Sequence, residues 1–156
     1  NHPFESGGVS KSRPCEVAIV CDELSKILHA NSKFKVGIIT FYSKQAELLK
    51  QEIDDKFPWD AHRIAIGTVD AFQGKEFDVV ILSAVRSNTE EDMKKRVGFL
   101  NNNNRLCVAF SRAKRLLITI GDSKTVAHDG KKIIIEPLNE LLIRSKREDI
   151  GYYETL

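Results

Sequence analysis

The segment from Ile64 to Arg86, I-A-I-G-T-V-D-A-F-Q-G-K-E-F-D-V-V-I-L-S-A-V-R, constrains the fold more than any other part of the chain. An apolar run (Ile64, Ala65, Ile66) breaks at Gly67, gives way to a polar stretch carrying one aromatic residue, and is followed by a second apolar run, Val79 to Val85. The pattern reads strand, loop, strand. About ten residues join the two strands, more than the two to five of an ordinary hairpin, so the loop is expected to touch a ligand. Its chemistry suits that: Thr68 and Gln73 offer neutral hydrogen-bonding groups, Gly74 allows close approach to the backbone, and Lys75 beside Glu76 presents both charges.

The flanking sequence supplies the alternation of helices and strands that surrounds this segment. Residues 1–13, with Gly7-Gly8 and no periodicity, read as an N-terminal loop or partial segment. From Pro14, apolar residues at Val17, Val20, Cys21, Leu24, Ile27 and Leu28 recur at helical spacing, and the helix is expected to end between His29 and Asn31. Lys35 to Tyr42 is a buried strand by its β-branched and aromatic content. Ser43 is the expected N-cap of a second helix with Ala46, Leu49, Ile53 and Phe57 on one face, stopped by Pro58. Ser87 to Asn104, charged and amide-rich, reads as a long exposed loop. A helix then begins within the asparagines and carries Leu106, Ala109, Phe110 and Ala113; Arg115 to Gly121 reads as another buried strand. A turn at Asp129-Gly130 precedes the apolar run Ile133 to Ile135, a last helix starts near Pro137 with Leu138, Leu141 and Leu142 on one face, and residues 151–156 form a tail. Strands without polar alternation, separated by helices, predict an α/β fold with a mostly parallel sheet covered on both faces.

Composition narrows the class of partner. The chain has 156 residues, enough for one domain with a hydrophobic core, and its 42% apolar and 29% charged content is that of an ordinary globular protein. A net charge of +2 gives no overall field that would attract nucleic acid, so such a role must rest on local groups. Cys15, Cys21 and Cys107 are odd in number and set among apolar neighbours, which suits reduced thiols. His2, His29, His62 and His128 are scattered, and no structural metal is expected. No apolar run approaches the roughly 18 residues of a membrane span, and a cytoplasmic location with no membrane partner is expected.

Three ordered pieces resemble the Upf1/Dna2-like branch of superfamily 1 helicases. Val36 to Gln45 (V-G-I-I-T-F-Y-S-K-Q) is similar to motif IV, Ile66 to Arg86 to motif V, and Asn103 to Lys114 (N-N-R-L-C-V-A-F-S-R-A-K) to motif VI. In that family two RecA-like domains clamp ATP between them while single-stranded nucleic acid lies across both. The Walker A pattern G-x-x-x-x-G-K-[S/T] is absent from the sequence. The resemblance therefore implies the second, C-terminal RecA-like domain, a three-layer P-loop-NTPase-like fold without its own Walker A loop, over residues 14–150. ATP and Mg²⁺ would be bound mainly by the first RecA-like domain of the same polypeptide, and this chain alone is expected to hold neither and to be inactive. Its partners would be that first domain and single-stranded DNA or RNA, with 5′ to 3′ polarity.

The resemblance also implies roles. Arg112 matches the catalytic arginine that reaches the γ-phosphate; Gln73, Gly74 and Glu76 match positions facing the nucleotide, with Glu76 suited to ribose hydroxyls; Gln45 is a further nucleotide-side contact. Thr68 matches a contact to a nucleic-acid phosphate, with a loop-capping hydroxyl as the alternative, while Asp70 is structural and Lys75 is left to solvent. Two positions depart from the pattern: Ala46 stands where many relatives carry a second arginine, and Cys107 where they carry an asparagine. The rival reading is a non-catalytic nucleic-acid or protein docking module on the same fold.

Overall fold

The computed structural model describes residues 4–147; the expected tail at 151–156, the last three residues of the 14–150 domain and His2 lie outside them. Helix α1 (Pro14–Ala30) starts with a proline whose missing N–H is not needed in a first turn. It buries the expected apolar stripe and ends where extended Asn31 returns its N–H to the Ile27 carbonyl. Strand β1 (Val36–Thr40) is buried throughout. Helix α2 (Ser43–Lys56) differs from expectation at its start: Tyr42, not Ser43, holds the cap position, and no side chain of its own caps the helix. The exposed N–H of Lys44 is instead accepted by Ser10 Oγ at 3.0 Å, so the N-terminal loop does the work of a cap.

After a 3₁₀ turn (Pro58–Arg63) come strand β2 (Ile64–Thr68), a second 3₁₀ turn (Val69–Phe72) and strand β3 (Phe77–Ser83). Helices α3 (Met93–Val97) and α4 (Asn103–Phe110) lead to strand β4 (Ala113–Ile120). The short helix α5 (Ser123–Val126), a hairpin of β5 (His128–Asp129) and β6 (Lys132–Ile133) turning at Gly130, and helix α6 (Glu136–Ser145) complete the described chain. The main sheet has the order β2-β1-β3-β4 with every pairing parallel.

Alternation along the strands sends Val36, Ile38, Val79 and Ile81 to the face covered by α1 and α2. Ile39, Val80 and Leu82 go to the other face, with Val69, Phe72, Leu106, Ala109 and Leu138. Two helical layers thus sandwich one parallel sheet, the RecA-like three-layer arrangement.

The join between β2 and β3 decides where everything else lies. Because β1 sits between them and all three run the same way, residues 69–76 must travel back along the sheet, across the face of β1. That requirement, and not ligand contact alone, accounts for the length of the segment. Room for the crossing comes from Gly37, where a Cβ would stand 2.6 Å from the Phe77 ring. Phe77 in turn packs on Phe72, with ring centroids 5.3 Å apart.

Two other expectations are corrected. Residues 87–104 are not a free loop: Arg96, Val97 and Leu100 are buried, and the Arg86 guanidinium donates to the carbonyls of Lys95 and Arg96. Charged residues made the stretch look solvated, but its arginine turns inward, Arg96 onto Lys124, Thr125 and Asp129. Strand β4 is not fully buried either, since it lies at the sheet's edge among the described residues and leaves Leu116 48% exposed. At the entrances of the strands Asp78 accepts from the Lys35 N–H at 3.0 Å and then from Arg115, which hold its carboxyl below the usual value.

Gly37→Ala is expected to destabilise the domain by about 1–3 kcal/mol, because the added methyl meets a packed ring that cannot move without displacing Phe72. Urea unfolding of the two proteins checks this; an unchanged midpoint would mean that the aromatic pair is loosely held.

Candidate functional site

The crossing segment separates the expected site residues into two groups, one at each end of the sheet. At the end where β3 and β4 begin, Phe77 donates its N–H to the Arg112 carbonyl at 2.9 Å, which fixes Arg112 beside the start of β3. The half-buried guanidinium donates from Nη1 to the Lys75 carbonyl (3.2 Å), from Nη2 to Ser111 Oγ (2.8 Å) and from Nε to the Val108 carbonyl (3.0 Å). Arg112 is thus folded back on its own helix end and on the loop that carries Gln73, Gly74 and Glu76. Those three residues are exposed. Gly74 has φ +78 with open space where a Cβ would be, so its backbone conformation selects glycine. Glu76 pairs with Lys114 at 3.3 Å, both exposed. Lys75 holds its ammonium 5.8 Å from the Phe72 ring centre.

At the opposite end, Thr68 closes β2 and is in register with Thr40 of β1 and Ser83 of β3. Thr68 and Arg112 therefore stand apart by the length of β3, about 20 Å for a seven-residue strand. The structure does not bring Thr68 into the Arg112 group. Gln45 also lies at the Thr68 end, and its expected role as a nucleotide contact is corrected by its surroundings. It is fully buried, accepts from the Arg13 N–H at 2.8 Å and donates to Ser83 Oγ at 3.0 Å, leaving no face for a ligand. Asp70, read as structural, pairs with Arg105 at 3.0 Å and so fastens the crossing segment to α4.

The residues that sequence reading missed form a buried polar cluster around Glu16. One carboxylate oxygen accepts from Ser83 Oγ (2.6 Å) and from the Val85 N–H (2.9 Å); the other accepts from Arg13 Nη1 (3.1 Å). Val85 has φ +69, rare for a β-branched residue, and the Arg86 N–H closes a tight turn onto the Ala84 carbonyl at 2.8 Å. Above that turn Glu5 pairs with Arg86 at 3.1 Å and accepts from Ser87 N–H and Asn88. A signal was present in the sequence: Glu16 falls four residues before Val20 on the apolar stripe of α1, where a charge is out of place unless it is paired. An open cleft of about 1120 Å³ lies over this end, lined among others by Tyr42, Arg86, Asn88, Lys95 and Phe99.

No group of three or more His, Cys, Asp or Glu among the described residues could hold a metal ion, and none of their helices is long and apolar enough to cross a membrane.

Residues 2–124 match the protein family described as AAA domain. The chain is 40% identical over 96 residues to the helicase required for RNAi-mediated heterochromatin assembly 1 of Schizosaccharomyces pombe, covering 62% of this chain and 9% of that protein. It is 38% identical over 126 residues to the DNA polymerase alpha-associated DNA helicase A of Saccharomyces cerevisiae, covering 80% of this chain and 18% of that one. With the DNA-binding protein SMUBP-2 of Mesocricetus auratus it shares 37% over 138 residues, 87% of this chain and 13% of the relative. The chain thus spans less than a fifth of the length of these relatives.

The Glu16 cluster predicts a pH dependence of stability. Burial pushes the Glu16 carboxyl above its ordinary 4.5, against the opposing pull of Ser83, Val85 and Arg13. A raised folded-state value means that the native protein binds this proton more tightly than the unfolded chain. The contribution of the group is therefore fully present below 4.5 and is lost as pH rises through the raised value. Glu16→Gln does not titrate, so its melting temperature relative to the parent should rise as pH is taken upward from 4.5. Thermal unfolding at a series of pH values measures this; parallel curves would show that Glu16 stays ionised throughout.

Proposed function

The chain belongs to the AAA-domain family, among the Upf1- and Dna2-like helicases, and from that premise we propose that it is the second motor domain of an ATP-dependent superfamily 1 helicase that translocates on and unwinds DNA or RNA. The observation that carries the reading is the hydrogen bond from Arg112 to the Lys75 carbonyl. It joins the motif VI arginine to the Gln73-Gly74-Glu76 loop on one surface, which a cleft between two domains requires.

The chemistry follows from the groups present. Transfer of a phosphoryl group spreads negative charge over its oxygens, and a planar, permanently charged guanidinium answers that charge with paired hydrogen bonds. Arg112 is poised for such an exchange because its partners, Lys75, Ser111 and Val108, are all neutral acceptors. Replacing two of them with phosphate oxygens gives stronger, charge-assisted bonds, while Nε on the Val108 carbonyl serves as a pivot. Glu76 supplies an exposed carboxylate for ribose hydroxyls, at the cost of a weak surface pair with Lys114. Thr68, at the far end of the crossing segment, would take a strand phosphate and position it without reading sequence. The nucleotide itself would be held mainly by a first RecA-like domain, since no Walker A pattern occurs in these residues.

In the full-length protein, Arg112→Ala should lower strand-stimulated ATP hydrolysis by about 10³- to 10⁵-fold while ATP affinity stays within about tenfold. Arg112→Lys should not restore it, because a point charge cannot reproduce the paired geometry. Unchanged turnover in the alanine variant would remove Arg112 from this role. The 156-residue chain alone should release no phosphate from ATP above the uncatalysed rate. Turnover at a helicase-like rate would overturn the assignment to the second domain.

A further inference from the structure

The crossing segment and Arg112 leave one strongly built feature unused, the buried carboxylate at the other end of the sheet. Glu16 is 1% exposed and its oxygens accept three hydrogen bonds, two from the exit of β3 and one from the residue that precedes α1. Ser83 ends β3, Val85 is the left-handed residue just beyond it, and Arg13 precedes α1. Through Arg13 and Ser83 the cluster also holds Gln45, in the first turn of α2. A left-handed β-branched residue costs about 1–3 kcal/mol and persists only where its surroundings over-determine it. Here they do so from both sides, with Glu16 on the Val85 N–H below and Glu5 with Arg86 above.

The cluster is continuous with the place expected for a strand. Ser83, Thr40 and Thr68 form one row across three strands, in register and on the same face of the sheet. Thr40 Oγ1 is buried in the middle of that row with no hydrogen-bond partner. Glu16 thus controls the placement of Thr68's neighbours from inside the domain, and it touches nothing in the Arg112 group, a β3 length away.

We propose that Glu16 is a positioning residue for the strand-binding end of the domain, locking the exit of β3 and the first turn of α2 into one rigid unit beside Thr68. This rests on the reading of the domain as a helicase motor. The consequence is a split between ligands. Loosening the unit weakens the hold on a nucleic-acid strand, while the nucleotide end, built from Arg112, Gln73, Gly74 and Glu76, keeps its geometry.

The test uses the full-length protein with oligothymidylate and oligouridylate. Glu16→Gln keeps an acceptor for Ser83 and Val85 and sets an amide against the Arg13 guanidinium, so it perturbs the unit without emptying it. The strand concentration giving half-maximal ATP hydrolysis should rise about tenfold, the size expected for losing one buried charged hydrogen bond. The KM for ATP should stay within about twofold. Ser83→Ala removes the hydroxyl's bonds to Glu16 and from Gln45 without changing charge and should shift the same quantity in the same direction, which keeps the test open if the glutamine variant does not fold. A folded Glu16→Gln or Ser83→Ala protein with an unchanged half-saturating strand concentration overturns the proposal. So does a loss shared equally by strand affinity, ATP KM and melting temperature, the mark of a merely structural group. Fluorescence anisotropy of the labelled oligonucleotides, run beside Arg112→Ala, separates the two readings. Retained ATPase in the arginine variant removes the motor reading, whereas the strand affinity of the Glu16 variant decides the positioning role by itself.

Discussion

The contact on which the rest of this domain depends is the seat that Gly37 provides for the ring of Phe77. A parallel order β2-β1-β3 can be joined in sequence only by a segment that crosses the middle strand, and a side chain on Gly37 would occupy the space that the Phe77 ring fills. Phe72 and Phe77 then pack on each other over β1, and Val69 is buried beside them. Three apolar residues of one segment, with Gly37 beneath them, therefore fix the path of the chain, and the polar residues between them have no choice about where they emerge. Thr68 appears at one end of the sheet and Gln73 with Gly74 at the other. The burial of two aromatic rings on this scale contributes several kcal/mol, which is enough to make the crossing segment part of the core and not a mobile loop.

Much of this was legible in the sequence because it follows from period and composition. Helix α1 could be read from its apolar stripe and its proline, α4 from the asparagine that caps it, and the parallel sheet from strands without alternation. What could not be read depended on partners distant in sequence. Ser43 looked like a cap, and only the approach of Ser10 from the N-terminal loop explains why the helix does without it. Arg96 reads in the sequence as part of an exposed loop, and its burial, like that of Arg86, becomes intelligible once Glu5 and the carbonyls of α3 and α5 are in place. Gln45 carried a family role on the strength of its position in a motif, whereas its neighbours Arg13 and Ser83 consume its hydrogen bonds. Local pattern reports what a segment prefers; it is silent on which polar group meets which across the fold.

The same contrast runs through the proposed site. The Arg112 group is sparse and exposed, held by neutral acceptors that a phosphate can replace, and nothing near it is over-determined. The Glu16 cluster is the opposite: dense, dry and satisfied, with a strained turn locked on both sides. Under the motor reading, a domain that takes up and releases a nucleotide at one end while keeping its grip on a strand at the other has reason to be built in this uneven way. Groups that exchange partners need weak ones to leave, and groups that only hold need none.

Coupling between the two ends then has a material basis that does not require a long chain of contacts. Residues 69–76 run the length between them, packed through Val69 and Phe72, bonded to α4 through Asp70 and Arg105 and to the Arg112 side chain through the Lys75 carbonyl. Under the motor reading Arg112 would leave that carbonyl for a phosphate and the loop at Gly74 would lose a restraint, while the other end of the same piece remains tied at Thr68 to the row that Ser83 and Glu16 fix. A displacement at one end of a rigid insert whose far end is anchored becomes a tilt. Under the motor reading, that tilt is the smallest motion by which a change at the nucleotide could alter the hold on a strand, and the hardness of the Glu16 cluster is what keeps it from being absorbed.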